Sequence, residues 1–120
     1  MKRETSVRTY RQRTELQAQA VQSTHGYVGR QRCMLLRNQA VLWRELDGEA
    51  ILLDPKEGCS YNLNAVGTLV WKMLDGTHTT HEIVNAVCTF YEVEYEQANQ
   101  DVEQLLDDMR KNNLVARSPV

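Results

Sequence analysis

At 120 residues, 42% apolar and 25% charged, the chain has the size and composition of one globular domain with a modest core. No apolar run approaches the roughly 20 residues of a membrane-spanning helix, and no apolar stretch follows the basic N-terminus as a secretory signal requires. The net charge of −2 conceals an asymmetry: residues 1–37 hold eight Lys/Arg against two acids, whereas residues 38–120 hold six against fourteen, so an arm at +6 precedes a body at −8.

Three widely spaced cysteines, Cys33, Cys59 and Cys88, form no C-x-x-C pair. An odd set of this kind points to reduced thiols in a cytoplasmic protein rather than to a disulfide framework.

Residues 1–33 are rich in Arg, Gln and Thr and poor in large apolar side chains. A short helix over Glu15–Gln22 would present only Leu16, Ala18, Ala20 and Val21, too little apolar surface to dock firmly. This segment reads as a basic, mobile N-terminal arm in front of a domain spanning residues 34–120. Its few aromatics, Tyr10 and Tyr27, and its lack of an amphipathic stripe favour a solvated extension over a nucleic-acid or membrane anchor.

Met34 to Leu36 reads as a short strand or the approach to one. Val41 to Glu45 is a stronger strand, and Asp47-Gly48 is a hairpin signal before the apolar run Ala50 to Leu53. A turn over Asp54 to Gly58 leads into Cys59 to Leu63, where Cys59, Tyr61 and Leu63 share one face. A helix follows, capped by Asn64, with Val66, Leu69, Val70, Met73 and Leu74 on one side and a stop at Asp75-Gly76. Thr79 and Glu82 fit a capping box for a second helix reaching about Tyr91 and burying Ile83, Ala86, Val87 and Phe90. A third runs from about Tyr95 to Asn112 with Ala98, Val102, Leu105, Leu106 and Met109 on one stripe, and Leu114-Val115 closes the core. The expectation is an α+β, winged helix-turn-helix-like domain: a three-stranded antiparallel sheet followed by three helices.

No catalytic or metal site emerges from the spacing. His78 and His81 stand i, i+3 at a helix start, but no acid or thiol completes a zinc set. Cys59 has no local signature of a nucleophile and reads as a half-buried strand residue. Gly58, Gly67 and Gly76 do not have phosphate-cradling spacing, and Trp71 reads as core. DNA binding is the rival that a winged-helix reading raises. The third helix, however, carries Glu96, Asp101, Glu103, Asp107 and Asp108 against Arg110 and Lys111, a surface that repels phosphates unless the arm does all the binding.

The order of several short segments resembles the PqqD-like family of peptide-recognition chaperones for ribosomally made, modified peptides. The matching pieces are W-R-E-L-D-G-E-A-I-L-L-D, Y-N-L-N-A-V-G, L-D-G-T-H-T-T-H-E-I-V, D-V-E-Q-L-L and N-L-V, between Val41 and Val115. Residues 1–33 lie outside the match, and Asn113 stands where a glycine is common. The resemblance implies a non-catalytic, cytoplasmic module without cofactor or metal. Its partners would be a precursor's leader peptide and a modifying enzyme such as a radical enzyme, a cyclase or a protease, with neither nucleic acid nor membrane. It further implies that the leader adds as an antiparallel strand beside Cys59, Ser60, Tyr61, Asn62 and Leu63. The helix facing that strand would present Asp101, Val102, Leu105, Leu106 and Met109. A winged-helix DNA-binding or regulatory module stays as the alternative.

Overall fold

The computed structural model describes residues 2–4, 10–12 and 34–117. Among the described residues, seven strands and three helices follow in chain order: β1 (Lys2–Glu4), β2 (Met34–Arg37), β3 (Leu42–Leu46), β4 (Glu49–Asp54), β5 (Cys59–Leu63), α1 (Ala65–Lys72), β6 (Asp75–Thr79), α2 (Thr80–Phe90), α3 (Tyr95–Lys111) and β7 (Val115–Arg117). The fold is mixed α+β, and the expected antiparallel meander of three strands is present as β3, β4 and β5. The strand and helix expected over Met34–Leu36 and Tyr95–Asn112 match β2 and α3 to within one residue. The helix considered over Glu15–Gln22 and the thiol of Cys33 lie outside the described residues.

The β3–β4 turn is made by Asp47 and Gly48 at φ 54° and 81°. Positive φ at both central residues is what a two-residue hairpin needs to match strand twist. β4 then alternates, with Ala50, Leu52 and Asp54 buried and Glu49, Ile51 and Leu53 exposed. In β5 the inward set is Cys59, Tyr61 and Leu63, at 5%, 1% and 1% exposure. Leu42 and Leu46 of β3 join Ile51 and Leu53 among the exposed large apolar residues of the sheet.

The sheet is tied to α1 by one buried hydroxyl. Thr68 Oγ1 accepts from the Ala50 amide at 2.8 Å and donates to the Leu63 carbonyl at 3.4 Å, so one side chain holds both strands. Thr68→Val is nearly isosteric but leaves the Ala50 N–H without its acceptor. A loss of about 1–3 kcal/mol is expected in a denaturant titration; an unchanged midpoint would show that the bond adds nothing to stability.

Helix α1 starts where Asn64 predicts: its Oδ1 accepts from the Gly67 amide at 2.8 Å. It ends earlier than the sequence reading placed it, at Lys72 with Met73 as cap. Asp75-Gly76 is therefore not the helix stop. It opens β6, which pairs antiparallel with β2, and β2 pairs in turn with β7, giving a second sheet of order β6-β2-β7. Strand propensity in D-G-T-H-T is too weak to announce this element, because its pairing partner β2 lies about forty residues earlier in the chain.

Asp75 starts β6 by folding back. Its Oδ1 accepts from the Thr77 hydroxyl at 2.6 Å and the Thr77 amide at 2.9 Å, with His78 Nδ1 at 3.1 Å. These contacts, the Thr77 hydroxyl foremost, lower the Asp75 carboxyl from its ordinary 3.8 to about 2. A carboxyl depressed by folding adds stability above its unfolded pKa and loses it as the pH falls through the folded value. Thr77→Val should move the Asp75 titration midpoint back toward 3.8 in a carbon-detected NMR titration; an unmoved midpoint would remove Thr77 as the cause.

The capping box of α2 is complete. The Glu82 amide donates to Thr79 Oγ1 at 3.1 Å, and the Thr79 amide donates to Glu82 Oε1 at 2.8 Å. Of the four residues expected to be buried on α2, Ile83 and Val87 are, while Ala86 is only half-buried. Phe90 is 53% exposed, and Val84 and Cys88 take the inward places. The stripe is rotated because α2 packs against both α1 and α3. Helix α3 ends in a Schellman motif: Asn113 is left-handed at φ 59°, and the amides of Asn113 and Leu114 donate to the carbonyls of Arg110 and Met109 at 3.1 and 2.9 Å. Leu114 is thereby placed, fully buried, in the core.

Candidate functional site

The sheet order β1-β5-β4-β3 makes the outer edge of β5 the place where a further strand joins the meander. Backbone donors and acceptors on such an edge need partners, and an added strand supplies them without regard to its side chains. Here the chain's own β1 lies on that edge. It runs parallel to β5, with Lys2 opposite Ser60, Arg3 opposite Tyr61 and Glu4 opposite Asn62. This direction is opposite to that implied for a bound leader.

The structure places all five expected strand residues on this edge. Cys59, Tyr61 and Leu63 point into the core, and Ser60 and Asn62 are half-buried on the other face. On α3, Val102, Leu105, Leu106 and Met109 are each no more than 1% exposed. They lie in the common core and present almost no surface of their own. The two walls meet at one end of β5, where Glu57, Cys59, Tyr61, Lys111, Asn112 and Asn113 line a cleft of about 190 Å³.

Asp101 stands apart from the other helix residues because it is polar and half-buried. Its carboxylate accepts from the Tyr10 hydroxyl and, at 3.1 Å, from Gln97 Nε2. Tyr10 packs against the core, with its ring 6.4 Å from that of Tyr91. Beside it the Glu92 amide donates to the Arg11 carbonyl at 2.8 Å, the Arg11 guanidinium faces the Glu92 carboxylate at 3.5 Å, and Gln12 bridges to Tyr91. Parts of the basic arm thus contact both β5 and α3. The sequence offered one signal for this, the complementary charges of arm and body.

His78 and His81 are structural. His78 lies in β6 beside Asp75, while His81 joins α2 to α3 through Tyr95 at 2.6 Å and Asn85 at 3.1 Å. With the Asn85 amide nitrogen donating to Nε2, the ring proton sits on Nδ1 and points at the Tyr95 hydroxyl oxygen. Among the described residues no group of three His, Cys, Asp or Glu is arranged to hold a metal ion. Cys59 and Cys88 are both buried.

Sequence reasoning missed Arg37. Its Nη1 donates to the carbonyls of Trp71 and Lys72, both at 3.0 Å, and its guanidinium lies 5.5 Å from the Trp43 ring and 6.0 Å from the Trp71 ring. It satisfies the end of α1 while stacking among two indoles. Nothing local to Arg37 signals this, because both indoles come from later elements.

A small α+β domain whose sheet edge pairs with an added strand has the architecture on which strand-addition modules are built. The family model of PqqD, coenzyme PQQ synthesis protein D, matches residues 49–115, and the chain belongs to that family. Two solved structures are similar. One, TbiB1 in complex with the TbiA(beta) leader peptide, is 29% identical over 67% of this chain and 93% of its own, with a TM-score of 0.63. The other, lasso peptide synthetase B1 complexed with the leader peptide, is 22% identical over 69% of this chain and 98% of its own, also with a TM-score of 0.63, and supports the fold alone. No protein of curated function matches the sequence significantly.

Proposed function

We propose that the chain is a non-catalytic peptide chaperone. It binds the leader of a ribosomally made precursor by strand addition on β5 and presents it to a separate modifying enzyme in the cytoplasm. The observation that carries this reading is the geometry of β5, a strand paired with β4 on one side and, on the other, with only the three-residue parallel strand β1. The leader complex of the similar TbiB1 supports it. Leader affinity would come from backbone hydrogen bonds to Cys59–Leu63. Selectivity would come from the half-buried Ser60 and Asn62, the Cys59–Tyr61 cleft and Asp101. The binding unit is residues 34–120, arranged in a winged helix-turn-helix-like manner with the β3–β4 hairpin as the wing. Residues 1–33 are an appendage to it.

The half-buried or exposed acids Glu96, Asp101, Glu103, Asp107 and Asp108 along α3 favour a peptide over a nucleic acid, since a duplex gains its non-specific affinity from phosphate contacts. The test is a calorimetric titration of the full chain with the leader half of a precursor peptide encoded beside its gene, and separately with a DNA duplex at about 0.15 M salt. Saturable leader binding with no duplex binding is the expected result. Duplex binding without leader binding would overturn the proposal.

A further inference from the structure

The chain's own N-terminus lies on the edge that a leader would use. We propose that Lys2–Glu4 and residues 10–12 are a built-in cap of the peptide site, an intramolecular strand and anchor that a leader must displace. The inference rests on the strand-addition reading above and adds a regulatory step to it.

Two separate contacts hold the cap. Lys2–Glu4 pair with Ser60–Asn62 on β5. Further along, Tyr10 bonds Asp101 on α3, and Arg11 and Gln12 pair with Glu92 and Tyr91 after α2. The arm therefore spans both walls of the proposed site, and its Tyr10 engages Asp101, the one polar helix residue of that site. Charge favours the same docking, with the arm at +6 and the body at −8.

The strand contact is short and parallel, a pairing slightly less stable per residue than the antiparallel one a leader would make. A longer antiparallel strand can therefore replace it. Covalent tethering makes the pairing of the cap intramolecular, so it does not depend on protein concentration as an added strand from another chain would. The cap protects a reactive edge from pairing with other chains while no peptide is present. Its consequence is a reduced apparent affinity, because only the uncapped fraction binds: a cap closed about nine-tenths of the time weakens binding about tenfold.

The experiment compares the full chain with its Arg3→Pro/Glu4→Pro/Tyr10→Ala variant. Two successive prolines remove whichever amide of that pair faces β5, and the alanine removes the anchor. Amide hydrogen exchange is followed first, with no peptide present. The expected result is at least about tenfold faster exchange in the variant at the amides of Cys59–Leu63 that face away from β4, with amides of α3 unchanged. Equal exchange at β5 in the two proteins would overturn the cap. Acceleration spread equally through α3 would make the arm part of the fold rather than a displaceable cap, and would overturn it too. Protection at β5 that grows with protein concentration would assign the strand to a second copy and overturn the intramolecular proposal.

The second measurement titrates both proteins with the leader peptide used above. Binding about tenfold tighter to the variant is expected, and equal affinity overturns the displacement step. If neither protein binds the peptide while the exchange difference stands, the leader reading fails and the edge cap survives. The two failures are therefore distinguishable.

Discussion

Trp71→Ala is expected to destabilise the domain by about 3–5 kcal/mol, a large share of the 5–15 kcal/mol that holds a typical domain together. Trp71 is fully buried, its ring meets Trp43 edge-on at 6.2 Å, and Arg37 stacks at 6.0 Å while bonding its carbonyl. Alanine removes the partner of both neighbours and leaves a cavity where α1 meets β3. Trp71→Phe should cost less. It keeps an aromatic ring and deletes Nε1, which has no hydrogen-bond partner among the described residues. Urea titrations of the two variants decide the matter, and an alanine loss below about 1 kcal/mol would contradict the packing described.

Leu105→Glu is expected to leave no folded protein at ordinary temperature. Leu105 is 1% exposed within the core that α3 shares with the rest of the domain. A carboxylate there is either desolvated without a partner or protonated at a cost, and the leucine's packing is lost as well. Together these exceed several kcal/mol, comparable with the whole stability. Circular dichroism and a thermal scan read the outcome. A cooperative transition near that of the parent would show that Leu105 faces solvent. Leu105→Ala is the gentler probe, with an expected loss of about 2–5 kcal/mol. It follows that the half-buried Ser60 and Asn62, rather than the buried α3 stripe, are where the proposed peptide binding can be probed while the fold is kept.

Local signals carried much of the architecture. Asp47-Gly48, Asn64, the Thr79/Glu82 box and the left-handed Asn113 each act within a few residues, so propensity and hydrogen-bonding chemistry locate them without tertiary knowledge. The α3 stripe was equally legible, because five apolar residues at helical spacing leave one way to face the core. Non-local pairing hid the rest. β6 exists because β2 lies beside it, Arg37 matters because Trp43 and Trp71 converge on it, and Phe90 is turned outward by the way α2 packs between its neighbours. At the candidate site, β5 was readable from the alternation of Cys59, Tyr61 and Leu63. Its pairing with Lys2–Glu4 was not, since a polar three-residue segment has no strand pattern to read.

The most direct test of strand addition is an NMR measurement on the full chain bound to an isotope-labelled leader peptide from a precursor encoded beside its gene. The expected result is a run of interstrand contacts between the leader backbone and Ser60, Tyr61 and Asn62, in antiparallel register, with the contacts of Lys2–Glu4 to the same residues lost. A leader that binds while β1 stays paired with β5, and that shows its contacts elsewhere on the domain, would contradict it.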